Sequence, residues 1–410
     1  MASEFKKFYT WDPSDPPRYH CRAVDAAYFD WLFSMLAGTG LTFLYRCNLA
    51  GRAYYRSMLM APFDHSCVDQ HNPQAAIWHR VANVLDGCDP LAEAVRAAKR
   101  HRVPIWAWFN WNEFQCLRRD WVYLVDPVWY ETPRKYWCTR DGSRFYHGVP
   151  AFGDPQVQER LLGLADEVMT YGVDGFYLST RSHSWWACFP SPGWEKSLED
   201  FGFNDCVVEA YRKRFGVDIR YEDFDRDAWL AIKGEQFSTL ISRTGAVVHR
   251  FGRPFVVGLV PDRYTLMGMD ASHPAVRHLQ LYKDWETWAA QGCVDGICSE
   301  QTCPHEQKLS GGDVSIFRET LPRDFPVYSW SDTAWFVNRG GGPFSLVNWN
   351  RNSVEDVLQQ IQLARAAGAN GIVFHSLYHF TACDTQGESI GGYGVLPRTE
   401  YFDALRNANE

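Results

Sequence analysis

The sequence predicts an α/β fold, a (β/α)8 barrel with long βα-loops on its C-terminal face, and three observations predict it. One pattern recurs: a helical stretch ends at Gly or a basic residue, a short turn follows, and an apolar run begins. The apolar runs are continuous rather than alternating, as in strands covered on both faces of a parallel sheet. The strand–helix alternation repeats around the whole chain, and the excess length falls after strands, where a barrel builds its active-site loops.

The first strand is the weakest and is expected around residues 21–27. The second is 41–47 (LTFLYRC), the third 103–110 (VPIWAWFN), the fourth 176–179 (FYLS) and the fifth 254–260 (PFVVGLV). The sixth is 297–300 (ICSE), the seventh 326–330 (PVYSW) and the eighth 372–376 (IVFHS). Helical periodicity fills the gaps at 89–100, 154–171, 228–251, 282–290 and 354–367. Three strands share a spelling, GVDGFYLS, CVDGICSE and GANGIVFHS. Gly ends a helix in the left-handed conformation and the chain turns directly into a buried strand. Asp174, Asp295 and Asn370 then fall in αβ turns at the N-terminal face, a structural position. The competing architecture is a doubly wound open sheet, but no GxGxxG follows the first strand and no phosphate-binding Gly loop is visible. No low-complexity linker divides the 410 residues, so one elaborated barrel domain over 1–410 is expected.

Composition narrows the function. The chain is 46% hydrophobic and 22% charged with a formal net charge of -8. That is globular, and a poor generic binder of nucleic acid or anionic membrane. No apolar stretch reaches the length of a membrane span, and no signal peptide is visible. A cytoplasmic location is the expectation, or a secreted or periplasmic one if a leader has been removed. The 12 cysteines show no CxxC spacing, so free thiols are expected, with no metal and no cofactor. Cys47, Cys293 and Cys298 read as small buried hydrophobes. Aromatic residues make up 16%, an excess that needs a use.

The strand ends carry the candidate chemistry, because in a barrel they converge on one mouth. A pyranose offers an apolar face to an indole ring and hydroxyls to charged groups. Breaking a glycosidic bond then needs two carboxyls, one to protonate the leaving oxygen and one to act as nucleophile or base. Glu300 and Asp332, after strands six and seven, are the first pair, with Glu300 preferred as acid and the roles exchangeable. Asp262 and Glu113 are reserves. The bland alternative pairs each of them with Arg46, Arg181 or Arg263. Arg181, His183 and Arg46 suit the carboxylate or sulfate of an acidic sugar, or a salt bridge. Asn110 and Trp111 are candidate substrate-binding residues, and His375 and His379 are placed to meet hydroxyls more readily than to ligate metal. Trp185, Trp186 and Trp335, beyond strand ends, are candidate sugar platforms. Trp106 and Trp108 share one face of strand three and read as core.

Two stretches carry a family resemblance. DPQVQER through YGVDGFYL, at 154–178, resembles the bacterial glycosyl-hydrolase-like barrel proteins often labelled family-10-like, in which an NPxVR helix leads to a YxVDGIxLD strand. The stretch LYKDWETWAAQGCVDG, at 281–296, is similar to that family's DWxxWxxxGxVD. The resemblance spans about half the chain and implies a carbohydrate-active TIM barrel, a glycoside hydrolase. One departure matters: where the family carries an acid after strand four, this sequence has Ser179, then Thr180 and Arg181. The expected activity is therefore hydrolysis of an oligo- or polysaccharide with acids drawn from strands six and seven. Its rivals are a non-catalytic glycan-binding barrel, and a lyase on acidic sugars using His183 as base and Tyr177 or Tyr264 as proton donor.

Overall fold

The computed structural model describes residues 4–13, 24–49, 51–68, 75–118, 122–125, 127–130, 132–180, 200–266, 279–300, 313–332, 334–336, 349–375 and 399–407. Eight strands close into a parallel barrel. They are β1 (Lys6–Trp11), β2 (Leu41–Arg46), β3 (Ile105–Asn110) and β4 (Gly175–Ser179). They continue as β5 (Phe255–Leu259), β6 (Gly296–Ser299), β7 (Val327–Asp332) and β8 (Gly371–His375). Each strand pairs with its sequence neighbours, and β8 closes on β1 through Lys6↔Gly371 to Tyr9↔Phe374. A helix follows each strand: α1 (Ala26–Leu36), α2 (Pro90–His101), α3 (Pro155–Thr170), α4 (Arg226–Arg250), α5 (Trp285–Ala290), α6 (Ser315–Thr320), α7 (Val354–Ala366) and α8 (Glu400–Asn407). This is the (β/α)8 architecture the sequence predicts.

The αβ turns follow the repeated spelling. Gly172 and Gly292 end α3 and α5 in the left-handed region, at φ 79° and 65°, where a side chain would clash with the backbone. After α2 the same conformation falls on Arg102, at φ 56°. The next polar residue then clamps the preceding strand. Asp174 Oδ2 accepts from Ile105 N at 3.1 Å, Asp295 Oδ2 from Phe255 N at 2.8 Å, and Asn370 Oδ1 from Val327 N at 2.9 Å. Their own N–H groups donate back to the carbonyls of the same three residues. These side chains therefore close the first backbone groups of β3, β5 and β7 at the N-terminal face.

The first strand corrects the expectation. Residues 24–27 carry no strand: Asp25 caps α1, its side chain accepting from Tyr28 N at 2.8 Å. The strand that completes the barrel lies upstream, at Lys6–Trp11. Its two lysines and Thr10 interrupt the apolar run by which the other strands are recognised.

Strand residues alternate between two cores. The outer core packs the strands against the helices and holds Tyr9, Phe43, Tyr45, Phe109, Phe176, Leu178, Phe255 and Phe374 among many others. The inner core fills the barrel with Phe8, Leu44, Trp106, Trp108, Tyr177, Val256, Cys298, Tyr328, Trp330 and Val373. Much of the aromatic excess is used here. Trp106 fits because residue 175 is glycine: a Cβ there would lie 2.3 Å from its Cδ2. The βα-loops add antiparallel pairs, Asn48–Leu49 with Arg52–Ala53, Gln115–Arg118 with Val122–Val125, Tyr136–Cys138 with Phe145–Pro150, and Ala334–Phe336 with Trp349–Arg351. The loop after β4 adds the helix Asp205–Phe215. Among the described residues no helix is long and apolar enough to cross a membrane.

Candidate active site at the barrel mouth

Side chains along a strand alternate with period two. Counting two residues on from each inner-core position therefore predicts what faces the axis at the mouth. From Phe8 the count reaches Thr10 and Asp12, from Leu44 it reaches Arg46, and from Trp108 it reaches Asn110. From Tyr177 it reaches Ser179, and from Val256 it reaches Gly258. From Cys298, Trp330 and Val373 it reaches Glu300, Asp332 and His375. A polar ring thus caps an aromatic layer.

Glu300 follows β6 directly and is 1% exposed. Its carboxylate leans across β5 into the end of β4. Oε1 accepts from the Tyr177 hydroxyl at 2.9 Å, and Oε2 accepts from Ser179 Oγ at 2.9 Å and Thr180 N at 3.1 Å. The crossing is possible because residue 258 is glycine: a Cβ there would lie 2.3 Å from Glu300 Cδ and 2.6 Å from the Tyr177 hydroxyl. Burial, the Cys298 thiol and the Glu300 carboxyl hold the Tyr177 phenol well above its ordinary pKa, so it remains protonated. Burial and Glu300 likewise push the Cys298 thiol well up, against a hydrogen bond with Tyr177.

Asp332 ends β7 and is partly exposed; its Oδ1 accepts from Trp330 Nε1 at 3.3 Å. It pairs in register with His375 on β8. His375 Nδ1 lies 2.8 Å from Thr10 Oγ1, and its ring sits 5.0 Å from that of Trp330. Tyr177 lies 6.4 Å from Trp330, centroid to centroid. The Tyr177–Trp330 pair therefore connects the two carboxyls, one hydrogen-bonded to each ring.

Arg46 is committed to protein partners. Its Nη2 donates to both Glu113 oxygens at 2.9 and 3.0 Å, its Nε donates to Asn48 O at 3.0 Å, and its Nη1 pairs with Asp12. Asn110 Nδ2 also donates to Glu113 at 2.6 Å, while its Oδ1 accepts from Trp108 Nε1 at 3.1 Å. Burial alone would lower the Arg46 pKa, but Glu113 and Asp12 outweigh it and raise it. A guanidinium with these contacts, 3% exposed, is held by its own carboxylates and does not offer a fork to an acidic sugar. Glu113, 0% exposed, is its ion-pair partner.

Asp262 closes a turn: its Oδ1 accepts from Tyr264 N and Thr265 N at 2.7 and 2.6 Å. Burial raises its pKa, but Lys283 and these donors prevail and lower it. Lys283 is itself fully buried, donating to Val260 O and Thr265 O at 3.0 and 2.6 Å, and burial pushes its pKa down to about 7. Arg263 is paired with Glu286 and lies over the Trp285 ring at 3.8 Å.

Trp111 is out of phase with the mouth. It is buried at 1% in the outer core, 6.1 Å from Phe176, beside a void of about 10 Å³, one water's worth, behind Ser179 and Thr180. It offers no exposed ring face to a sugar. Trp335 lies on the short strand Ala334–Phe336, with its side chain outside the described residues. Arg181, His183, Trp185, Trp186 and His379 lie outside them altogether. Thr10, Asp12 and Asn48 are the mouth residues that sequence reasoning missed. The first two follow from the misplaced first strand. The alternation Phe8-Thr10-Asp12 was the available signal.

No protein-family profile matches the chain, and no curated protein matches it in sequence. Solved structures do. A β-galactosidase from the psychrophilic Marinomonas ef1 superposes with a TM-score of 0.50 at 11% identity, over 98% of this chain and 58% of that one. The β-amylase catalytic domain from Paenibacillus polymyxa gives 0.49 at 10% identity, over 100% of both chains. A family GH18 chitinase from Cycas revoluta gives 0.46 at 10%, over 99% of this chain and 100% of that one. At these identities the likeness is one of fold, the (β/α)8 barrel.

Proposed function

We propose that the chain is a glycoside hydrolase that cleaves an oligo- or polysaccharide with Glu300 and Asp332. One observation carries the reading. The two carboxyls face the barrel axis from neighbouring strands and are joined through Tyr177 and Trp330. One carboxyl gives a proton to the leaving glycosidic oxygen. The other attacks the anomeric carbon, or takes a proton from the water that does; water is consumed and a new reducing end appears. A carboxyl separation of about 5–5.5 Å gives retention and about 6.5–9.5 Å gives inversion. With Arg46 held by Glu113 and Asp12, recognition of an acidic sugar falls to Arg181 and His183.

The test is a panel of neutral, uronic and sulfated glycans assayed for new reducing ends. The reading predicts release from at least one class. Saturable binding to a glycan with no new ends would contradict it and favour a binding barrel. Absorbance from an unsaturated uronate would contradict it in favour of a lyase.

A further inference from the structure

The donors around Glu300 distinguish it from Asp332. Three of them converge on its carboxylate, and all three come from β4 or the residue just after it. The Thr180 N–H can only donate. The Ser179 hydroxyl is 1% exposed and aimed at the same oxygen, Oε2. Tyr177 also contacts the Cys298 thiol beneath it. Donors that are all directed at one carboxyl favour its charged form. Asp332 is more exposed, and Trp330 Nε1 on its own strand donates to its Oδ1 at 3.3 Å.

We propose that Tyr177 and Ser179 are positioning residues that hold Glu300 ionised through neutral pH, which makes Glu300 the nucleophile or base and Asp332 the acid. The catalytic consequence rests on the hydrolase reading; the charge of Glu300 does not. In the reaction the Asp332 proton goes to the leaving oxygen. Glu300 bonds to the anomeric carbon, or accepts a proton from the water that bonds there. Among the described residues, the titratable groups around this corner are Tyr177 on β4, Cys298 on β6, Asp332 on β7 and His375 on β8, the last two across Trp330. β5 presents only Gly258. On the side of β3, Asn110 pairs in register with Ser179 and carries the Glu113–Arg46 pair.

The experiment is a carboxyl ¹³C NMR titration of protein labelled at glutamate Cδ. The Glu300 signal is assigned by its loss in Glu300→Gln. The wild type is expected to remain ionised at neutral pH, as its three donors favour. Tyr177→Phe and Ser179→Ala should each raise the midpoint by about one pH unit or more, the effect of losing one hydrogen bond to a charged group. Ser179→Thr, which keeps the hydroxyl, should restore it. The acid limb of kcat/KM should move in the same direction. If Tyr177→Phe fails to fold, the two Ser179 variants carry the comparison. A Glu300 signal that is protonated at neutral pH, or a midpoint that moves in neither variant, overturns the proposal. Shifted midpoints without cleavage of any glycan would uphold the charge-holding corner and sink the hydrolase reading instead.

Discussion

Replacing Arg46 by Met removes a guanidinium that Glu113 and Asp12 share. Both carboxylates are 12% exposed or less, and both would be left as buried charges. Breaking a buried pair by deleting one partner costs about 3–5 kcal/mol. Unfolding entropy near 60 °C is about 2.1 cal/mol/K per residue. Over 410 residues that makes each kcal/mol worth about 1 °C, so a Tm fall of about 4–6 °C is expected. The cost should shrink as pH falls. In the variant the two carboxyls lose the Arg46 charge, so their folded-state pKa values rise and they escape the penalty by taking protons. In the wild type Arg46 keeps them ionised. Thermal and urea denaturation of both proteins at pH 7 and through the carboxylate range measures this. The triple variant Arg46→Met, Asp12→Asn, Glu113→Gln should recover much of the loss, because no buried charge remains. Arg46→Met within 1 kcal/mol of wild type at pH 7 would refute the reasoning, as would a loss that does not depend on pH.

Two further perturbations address other parts of the account. Gly258→Ala places a methyl 2.3 Å from Glu300 Cδ; it should cost about 1–3 kcal/mol by overpacking and depress cleavage by driving the carboxylate off its donors, which denaturation and the reducing-end assay together check. Lys283 titrates near 7 in the fold against 10.5 as its ordinary value. Between those values the unfolded chain holds a proton that the folded chain does not, so the contribution of Lys283 to stability rises with pH. The stability difference between wild type and Lys283→Met should therefore grow by about 1 kcal/mol per pH unit from pH 7 to 9. An equal difference at every pH would exclude that titration.

The parts of the fold that read clearly from sequence are those where burial is two-sided. Continuous runs such as LTFLYR and FVVGL leave little choice but a covered strand, and the Gly-turn-Asp spelling marks where it starts. β1 was hidden because it supplies polar groups to the mouth: Thr10 and Asp12 face the axis, so KKFYTW never forms an apolar run. The candidate site was legible as a set of strand ends but not as a geometry. Trp111 shows why. It lies one residue beyond Asn110, and period two turns it to the outer core. That Glu300 bends over Gly258 to meet Ser179 depends on three strands at once, and no spacing within one segment encodes it. The serine that stands where the resembled family carries an acid is thereby a donor to the Glu300 carboxylate.

The central claim is that two carboxyls at this mouth break a glycosidic bond. The most direct measurement is turnover of a cleaved glycan by Glu300→Gln and Asp332→Asn, each confirmed as folded by circular dichroism. The account predicts that each loses several orders of magnitude in kcat, because each variant lacks one of the two carboxyls that the proposed cleavage requires. Near-normal turnover in either variant would contradict it.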